Sequence, residues 1–229
     1  MRRPDEGGDD RLIMALPTGR LLGEVVPLLR RLDILPESAF DDPDTRRLRF
    51  ATNDRRLDLI RVRNFDVATF VAFGAAQLGI AGNDVLMEFD YSEIYAPLDL
   101  DVGHCRLAVA ATADALGQAE ITRSSHVRVA TKYPEVTRRH FAARGIQAEC
   151  IKLNGAIELA PRLGLCRHIV DLVQTGATLR ANGLVEIEHI AEVSSRLIVN
   201  RPALKTRPEE VGGWIERFRA AVGEAADAG

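Results

Sequence analysis

The chain has 229 residues, 46% of them hydrophobic and 28% charged, with a formal net charge of −3. That is an ordinary globular composition, long enough for one large α/β domain or two lobes of about 100 residues each. It lacks the concentrated basic face of a nucleic-acid-binding domain, and no run approaches the ~18 apolar residues of a membrane span.

Residues 1–10 are polar and acidic without an apolar stretch, which predicts a disordered tail rather than a signal peptide. Leu12 to Leu16 reads as a short apolar strand, closed by Pro17-Thr-Gly19, and Arg20 to Leu32 follows with helical periodicity. Residues 33–47 read as a loop. Leu48 to Thr52 and Leu57 to Arg63 are strands joined by a hairpin-like Asn53-Asp54-Arg55. A short helix, Asp66 to Phe73, ends at Gly74 and precedes a buried strand, Leu78 to Ala81. Gly82-Asn83-Asp84 turns into a helix from Val85 to Glu88, and a strand at Ile94 to Leu98 lies in an irregular stretch.

In the second half, strands are expected at Cys105 to Ala111, Val127 to Ala130, Ala148 to Leu153, Ile169 to Val173, Ile187 to Val193 and Ser195 to Val199. Helices are expected at Glu135 to Arg144, capped by Gly145, at Ile157 to Ala160, stopped by Pro161, and at Thr178 to Asn182, stopped by Gly183. Glu209 to Val222 is a terminal amphipathic helix. The alternation of strand and helix favours an α/β fold with mainly parallel sheets. We expect residues 11–102 with 203–229 to form one lobe and 103–202 the other, with ligands at strand C-termini and between lobes.

Cys105, Cys150 and Cys166 are odd in number and form no CxxC pair, so they suggest neither a disulfide framework nor a zinc site. They fit a reducing compartment, and the chain is expected to be cytoplasmic. The five histidines lack metal-ligand spacing, and no protein-held metal is expected. Lys132, Lys152 and Lys205 are the only lysines, so 27 of the 30 basic side chains are arginines. Arginine suits bidentate recognition of phosphate, although base composition of the genome gives the same bias.

The stretch Asp171-Leu-Val-Gln-Thr-Gly-Ala-Thr-Leu179 carries the most chemistry. An apolar strand ends in a turn that opens a helix. Such a turn aims backbone N–H groups outward at the positive end of the helix dipole. Gly176 allows close approach of an anion, and Thr175 and Thr178 add hydroxyl donors. Two readings fit: a phosphate cradle, or a threonine-capped helix start. Asp171, near the strand end, suits a ribose hydroxyl or plain solvation. In Ala15-Leu-Pro-Thr-Gly-Arg-Leu21, Arg20 falls in a first helical turn, where a cation opposes the dipole. It is either a partner for an anionic ligand or a solvated arginine. Gly74 to Asp84 and Lys152 to Pro161 are further strand–turn–helix passages, either cleft-lining or simply α/β turns.

Taken together, these stretches resemble the ATP phosphoribosyltransferase family. The match runs in order through Leu16-Pro-Thr-Gly-Arg-Leu21, Arg61-Val-Arg-Asn-Phe-Asp-Val67, Gly79-Ile-Ala-Gly-Asn-Asp84, Cys105-Arg-Leu107 and Ala130-Thr-Lys-Tyr-Pro134. It continues through Lys152-Leu-Asn-Gly155, Glu158-Leu-Ala-Pro161, Ile169-Val-Asp-Leu-Val173, Thr175-Gly-Ala-Thr-Leu179, Ala181-Asn-Gly-Leu184 and Ser195-Arg-Leu-Ile-Val-Asn200. Thr18, Gln77, Asn83 and Arg167 stand where the family usually has Lys, Asp, Lys and Asp.

The resemblance implies a two-lobed α/β fold like type II periplasmic binding proteins, with the active site in the inter-lobe cleft. It implies the short form, without a regulatory domain. The implied reaction is the first step of histidine biosynthesis: N1 of the adenine of ATP attacks phosphoribosyl pyrophosphate (PRPP), giving phosphoribosyl-ATP and pyrophosphate. The implied PRPP contacts are Thr175, Gly176, Ala177 and Thr178 for the 5-phosphate, with Asp171 and Glu158 for the ribose hydroxyls. Arg20 and Arg46 would be catalytic, facing the departing pyrophosphate, and Arg20, Arg63 and Gly82 would bind ATP. Mg²⁺ would ride on the substrates. The implied assembly is a homodimer within a hetero-octamer, built with a histidyl-tRNA-synthetase-like regulatory subunit. The other class of reading is a non-catalytic phospho-ligand-binding or assembly subunit on the same fold.

Overall fold

The computed structural model describes residues 11–112 and 125–227; the expected tail at residues 1–10 lies outside them. The chain divides into two compact units. The first comprises residues 1–86, 91–103 and 195–229, and the second residues 87–90 and 104–194.

The first unit holds a six-stranded sheet of order β2-β3-β1-β4-β11-β5, formed by β1 (Leu12–Pro17), β2 (Arg49–Ala51), β3 (Leu57–Val62), β4 (Leu78–Gly82), β5 (Ile94–Asp99) and β11 (Ser195–Asn200). Register explains its core. Leu12 and Met14 pair with Leu57 and Leu59, Met14 with Leu78, and Ile80 with Leu197. Side chains two apart share a face, so these residues form one apolar surface. Two helices cover it: α1 (Arg20–Arg31) through Val25, Leu28 and Leu29, and α8 (Pro208–Asp227) through Val211, Trp214, Ile215 and Phe218. The opposite face is closed by α2 (Asn64–Ala72), which packs so tightly that a Cβ on Gly79 would lie 2.8 Å from Val71 Cγ2. The helix α3 (Asn83–Phe89) follows β4, and α7 (Arg201–Thr206) follows β11 with Asn200 as N-cap, its side chain accepting the Ala203 N–H at 2.8 Å.

The second unit holds a five-stranded sheet, β10-β6-β9-β7-β8, from β6 (Cys105–Thr112), β7 (His126–Thr131), β8 (Gln147–Lys152), β9 (His168–Val173) and β10 (Leu184–Val193). Ala108, Ala110, Ala130, Ile169 and Val173 make one face, filled by Ala160 of α5 (Leu159–Arg162) and Leu179 of α6 (Ala177–Ala181). The helix α4 (Pro134–Ala142) packs along β8. Its N-terminus is capped from afar: the buried Glu88 carboxylate accepts the N–H groups of Glu135 and Val136 at 3.0 Å. This contact explains why residues 87–90 group with the second unit.

Several expectations are corrected. The sheets are mixed rather than mainly parallel: β1–β3, β1–β4, β7–β8 and β7–β9 are parallel, whereas β2–β3, β4–β11, β5–β11, β6–β9 and β6–β10 are antiparallel. Strand–helix alternation does not report direction when the chain changes sheets. The return to the first unit falls at 194/195, not 202/203, because β11 pairs with β4 and β5. Pro161 lies inside α5 rather than ending it, since a first-turn proline lacks only an N–H that would find no helical acceptor. β10 begins at Leu184, earlier than expected. Its irregularities at Glu186/Glu188 and His189/Ala191 break the two-residue alternation that would have marked it.

Candidate active site

In the second unit, β9 delivers the most distinctive turn. After Val173 the chain passes through Gln174, Thr175 and Gly176 into α6. Gly176 is left-handed, φ 72° and ψ 6°, a conformation that a Cβ disfavours. It lets the chain pass from β9 into α6 through only three residues, Gln174 to Gly176. The turn is exposed at Thr175, Ala177 and Thr178. Thr175 Oγ1 accepts the Ala177 N–H at 3.3 Å, so one threonine tidies the helix start while Thr178 faces solvent.

The carbonyl side of the turn is occupied by arginines. Arg106 of β6 donates from Nη1 to Gln174 O at 3.1 Å, and Arg180 donates from Nη1 to Thr175 O at 3.1 Å. Arg106 is itself forked onto Glu186 of β10, with Nε–Oε1 2.8 Å and Nη2–Oε2 2.6 Å. The hydrogen bonds from Arg106 hold the Glu186 carboxyl below its ordinary value, against the opposing effect of burial. The same contact raises the Arg106 guanidinium.

Asp171 lies two residues before Val173, on the face shared with Ile169, opposite Ala108 of β6. Its Oδ1 accepts the Leu172 N–H at 2.8 Å, which fixes the rotamer of a half-buried carboxylate. Glu158 is half-buried at the N-cap of α5 and makes no side-chain cap hydrogen bond. Thus the six residues expected around PRPP lie within the second unit, on β9, the α6 turn and the start of α5.

The remaining expected residues lie in the first unit. Arg20 opens α1 after Gly19 and pairs with Glu24. Arg63 precedes α2, its carbonyl accepting the Asp66 N–H at 2.8 Å while its side chain is exposed. Gly82 is buried at the end of β4, paired with Ser195. Arg46 projects from residues 42–47, a segment shaped by the Asp42 and Thr45 side chains, which accept the N–H groups of Asp44 and Arg47.

Neighbouring arginines separate into two kinds. Arg47 forks onto Glu37 at 2.8 and 3.1 Å, Arg49 binds Asp58 at 2.7 Å, and Arg61 donates to Phe40 O while lying 4.6 Å from the Phe50 ring centre. These brace the fold. The side chains of Arg46 and Arg63 are exposed and make no hydrogen bond or ion pair among the described residues, which leaves both guanidiniums available to an anion. Sequence reasoning placed Arg106 in the matching stretch Cys105-Arg-Leu107 but gave it no role, and it did not single out Glu186. The available signal was a lone cation in the otherwise apolar run 105–111.

Two of the four departures from the family pattern bond to strands beside them. Gln77 joins β1 to β4, its Oε1 accepting the Ile13 N–H at 2.8 Å and its backbone N–H donating to Ile13 O at 3.0 Å. Thr18 is exposed, and its N–H donates to Val62 O at 2.9 Å. A hard divalent cation takes six or more oxygen ligands. Among the six expected residues of the second unit, two are carboxylates, Glu158 and Asp171, and the others offer hydroxyl and amide donors. Such a set suits anionic oxygens and a cation brought on them, rather than a protein cage. A separate cavity of about 410 Å³ in the first unit is lined by Asp54, Arg56, Glu209, Trp214 and Arg217, and contains none of the expected residues.

The model for the family described as HisG: ATP phosphoribosyltransferase matches residues 63–220. The ATP phosphoribosyltransferase of Paramagnetospirillum magneticum is 70% identical over 214 residues, covering 93% of this chain and 98% of that protein. The enzyme of the same name from Rhodospirillum rubrum is 65% identical, covering 93% and 94%. Among solved structures, the ATP phosphoribosyl transferase (HisG:HisZ) complex from Thermotoga maritima has a TM-score of 0.76 at 29% identity, covering 93% of this chain and 99% of that chain. The periplasmic aliphatic sulphonate binding protein SsuA from Escherichia coli has a TM-score of 0.58 at 11% identity, covering 96% and 70%, a likeness of fold alone.

Proposed function

This chain belongs to the ATP phosphoribosyltransferase family, and from that premise we propose which of its side chains hold each substrate. The fold is the two-lobed α/β type of type II periplasmic binding proteins. The activity is that of the family: ATP and PRPP condense to phosphoribosyl-ATP and pyrophosphate, the first step of histidine biosynthesis. The non-catalytic alternative finds no support in relatives of this identity and coverage.

The reaction forms a bond between N1 of adenine and the anomeric carbon of PRPP as the bond from that carbon to pyrophosphate breaks. N1 carries a free lone pair at neutral pH, so no strong base is required. The demands are alignment of two polyanions, for which positioning contributes ~7–11 kcal/mol, and stabilisation of charge on the leaving group. In our reading the turn Thr175, Gly176, Ala177 and Thr178 grips the 5-phosphate. Asp171 and Glu158 accept hydrogen bonds from the ribose hydroxyls. Arg20 and Arg46 face the pyrophosphate, and Arg20, Arg63 and Gly82 bind ATP. Mg²⁺ carried on the substrates would supply charge neutralisation at the pyrophosphate oxygens, while Arg20 and Arg46 supply the protein's own positive charge there.

The observation that carries this reading is the β9–α6 turn, with left-handed Gly176, exposed hydroxyl-bearing residues and carbonyls already bonded elsewhere. We further propose a homodimer within a hetero-octamer containing a histidyl-tRNA-synthetase-like subunit. The Thermotoga maritima neighbour, a HisG:HisZ complex, supports a second subunit. A cytoplasmic setting fits the free thiols of Cys105, Cys150 and Cys166. The test is Thr178→Val, assayed by the absorbance of phosphoribosyl-ATP. We expect the KM for PRPP to rise more than that for ATP; equal rises would remove the turn from the 5-phosphate.

A further inference from the structure

We propose that Arg106 is a positioning residue for the PRPP 5-phosphate turn, held by Glu186 so that it fixes the direction of a backbone N–H it never touches. The proposal rests on the assignment of Thr175 to Thr178 to the 5-phosphate.

In a trans peptide the carbonyl of one residue and the N–H of the next point in opposite directions. Arg106 takes Gln174 O, so the N–H of Thr175 is directed away from Arg106. Arg180 takes Thr175 O, so the N–H of Gly176 is directed away from Arg180. Two successive amides are thereby turned by two guanidiniums. A carbonyl rotated toward a phosphate would repel it, and the two arginines bond the carbonyls that could do so.

The two guanidiniums are held differently. Arg180 reaches back from its short helix to the turn just before it and lies where a side chain on Gly176 would go, 3.0 Å from the ideal Cβ position. Arg106 comes from another strand and is fixed by a two-pronged contact with Glu186, 80 residues away. The Nε–Nη2 edge of the planar guanidinium is spent on the carboxylate, leaving Nη1 to donate to Gln174 O. A lysine would keep the charge but not this fork. Glu186 thus acts on the turn through Arg106.

The experiment compares Arg106→Ala, Glu186→Gln and Thr178→Val, with the partner subunit present where activity requires it. KM for PRPP, KM for ATP, inhibition by ribose 5-phosphate and melting temperature are measured for each. Removing one charge-assisted hydrogen bond corresponds to roughly a 10-fold loss or more. We expect Arg106→Ala to raise KM for PRPP and the inhibition constant of ribose 5-phosphate about 10-fold each, leaving KM for ATP within about 2-fold. Glu186→Gln preserves shape, guards against a misfolded Arg106 variant, and should give a smaller change in the same direction. If Thr178→Val shifts PRPP while both other variants leave it unchanged, or shift ATP equally, the positioning role is overturned and the phosphate turn survives. If Thr178→Val leaves PRPP unchanged, both readings fall together.

Discussion

Arg20 Nε stands 3.8 Å from Glu24 Oε1, one turn along α1, and the other oxygen of that carboxylate accepts the Gly103 N–H at 2.9 Å. The Arg20 and Glu24 side chains are 58% and 36% exposed, so the ion pair is solvated. Such a pair contributes about 0–1 kcal/mol. A guanidinium in a first helical turn is therefore steadied by Glu24 at little gain in stability.

Arg20→Ala should consequently separate activity from folding. The chemical rate should drop roughly 10²-fold, the scale of losing one electrostatic stabiliser, while stability changes by less than about 1 kcal/mol. Single-turnover kinetics and urea denaturation check the two halves. A normal single-turnover rate would remove Arg20 from the pyrophosphate.

Arg46 and Arg47 are adjacent and should behave oppositely. Arg47 is forked onto Glu37, which also accepts the Ala51 N–H at 3.0 Å, so Arg47→Ala should cost up to about 1 kcal/mol with kcat/KM near normal. Arg46→Ala should leave the unfolding midpoint unchanged and lower the rate by about 10²-fold. Reversed profiles would mean that the bracing and ligand-facing roles had been exchanged.

That contrast marks where the sequence stops being legible. Local signals sufficed for β1, β9 and the turn at Thr175 to Thr178, where an apolar run meets a glycine that only one backbone conformation explains. They could not sort Arg46 and Arg63 from Arg47, Arg49 and Arg61, because the difference lies in partners such as Glu37, Asp58 and Phe50. Nor could they join Arg106 to Glu186, whose meeting depends on the antiparallel pairing of β6 with β10. Ser195 to Val199 reads as a strand but, on sequence, groups with the second lobe. Its place beside β4 follows from long-range pairing of Leu197 with Ile80, not from its own composition.

Gly103 should tolerate no side chain. Its φ is 74°, and an ideal Cβ would lie 2.7 Å from Leu21 Cδ1 and 2.9 Å from Ser195 Oγ. Gly103→Ala should therefore destabilise by about 1–3 kcal/mol through overpacking and backbone strain. Gly23, inside α1 with nothing within 4 Å of its Cβ position, provides the opposite sign: Gly23→Ala should stabilise by about 0.4–1 kcal/mol. Thermal or urea unfolding of the two variants tests the pair, and equal effects would contradict the steric account.

The Glu186–Arg106 contact makes a signed prediction with pH. Hydrogen bonds from Arg106 lower the Glu186 carboxyl from its ordinary 4.5, outweighing burial, which acts the other way. A carboxyl whose value is lower folded than unfolded binds fewer protons in the native state, so its stabilising contribution is complete above the unfolded value. That contribution declines as pH falls from about 4.5 through the lower, folded value. The melting-temperature difference between the unsubstituted chain and Glu186→Gln should therefore stay constant from about pH 8 to about pH 5 and shrink on further acidification. A difference that instead grew as pH fell would mean that the carboxyl is raised rather than lowered, and that Arg106 is not its principal partner.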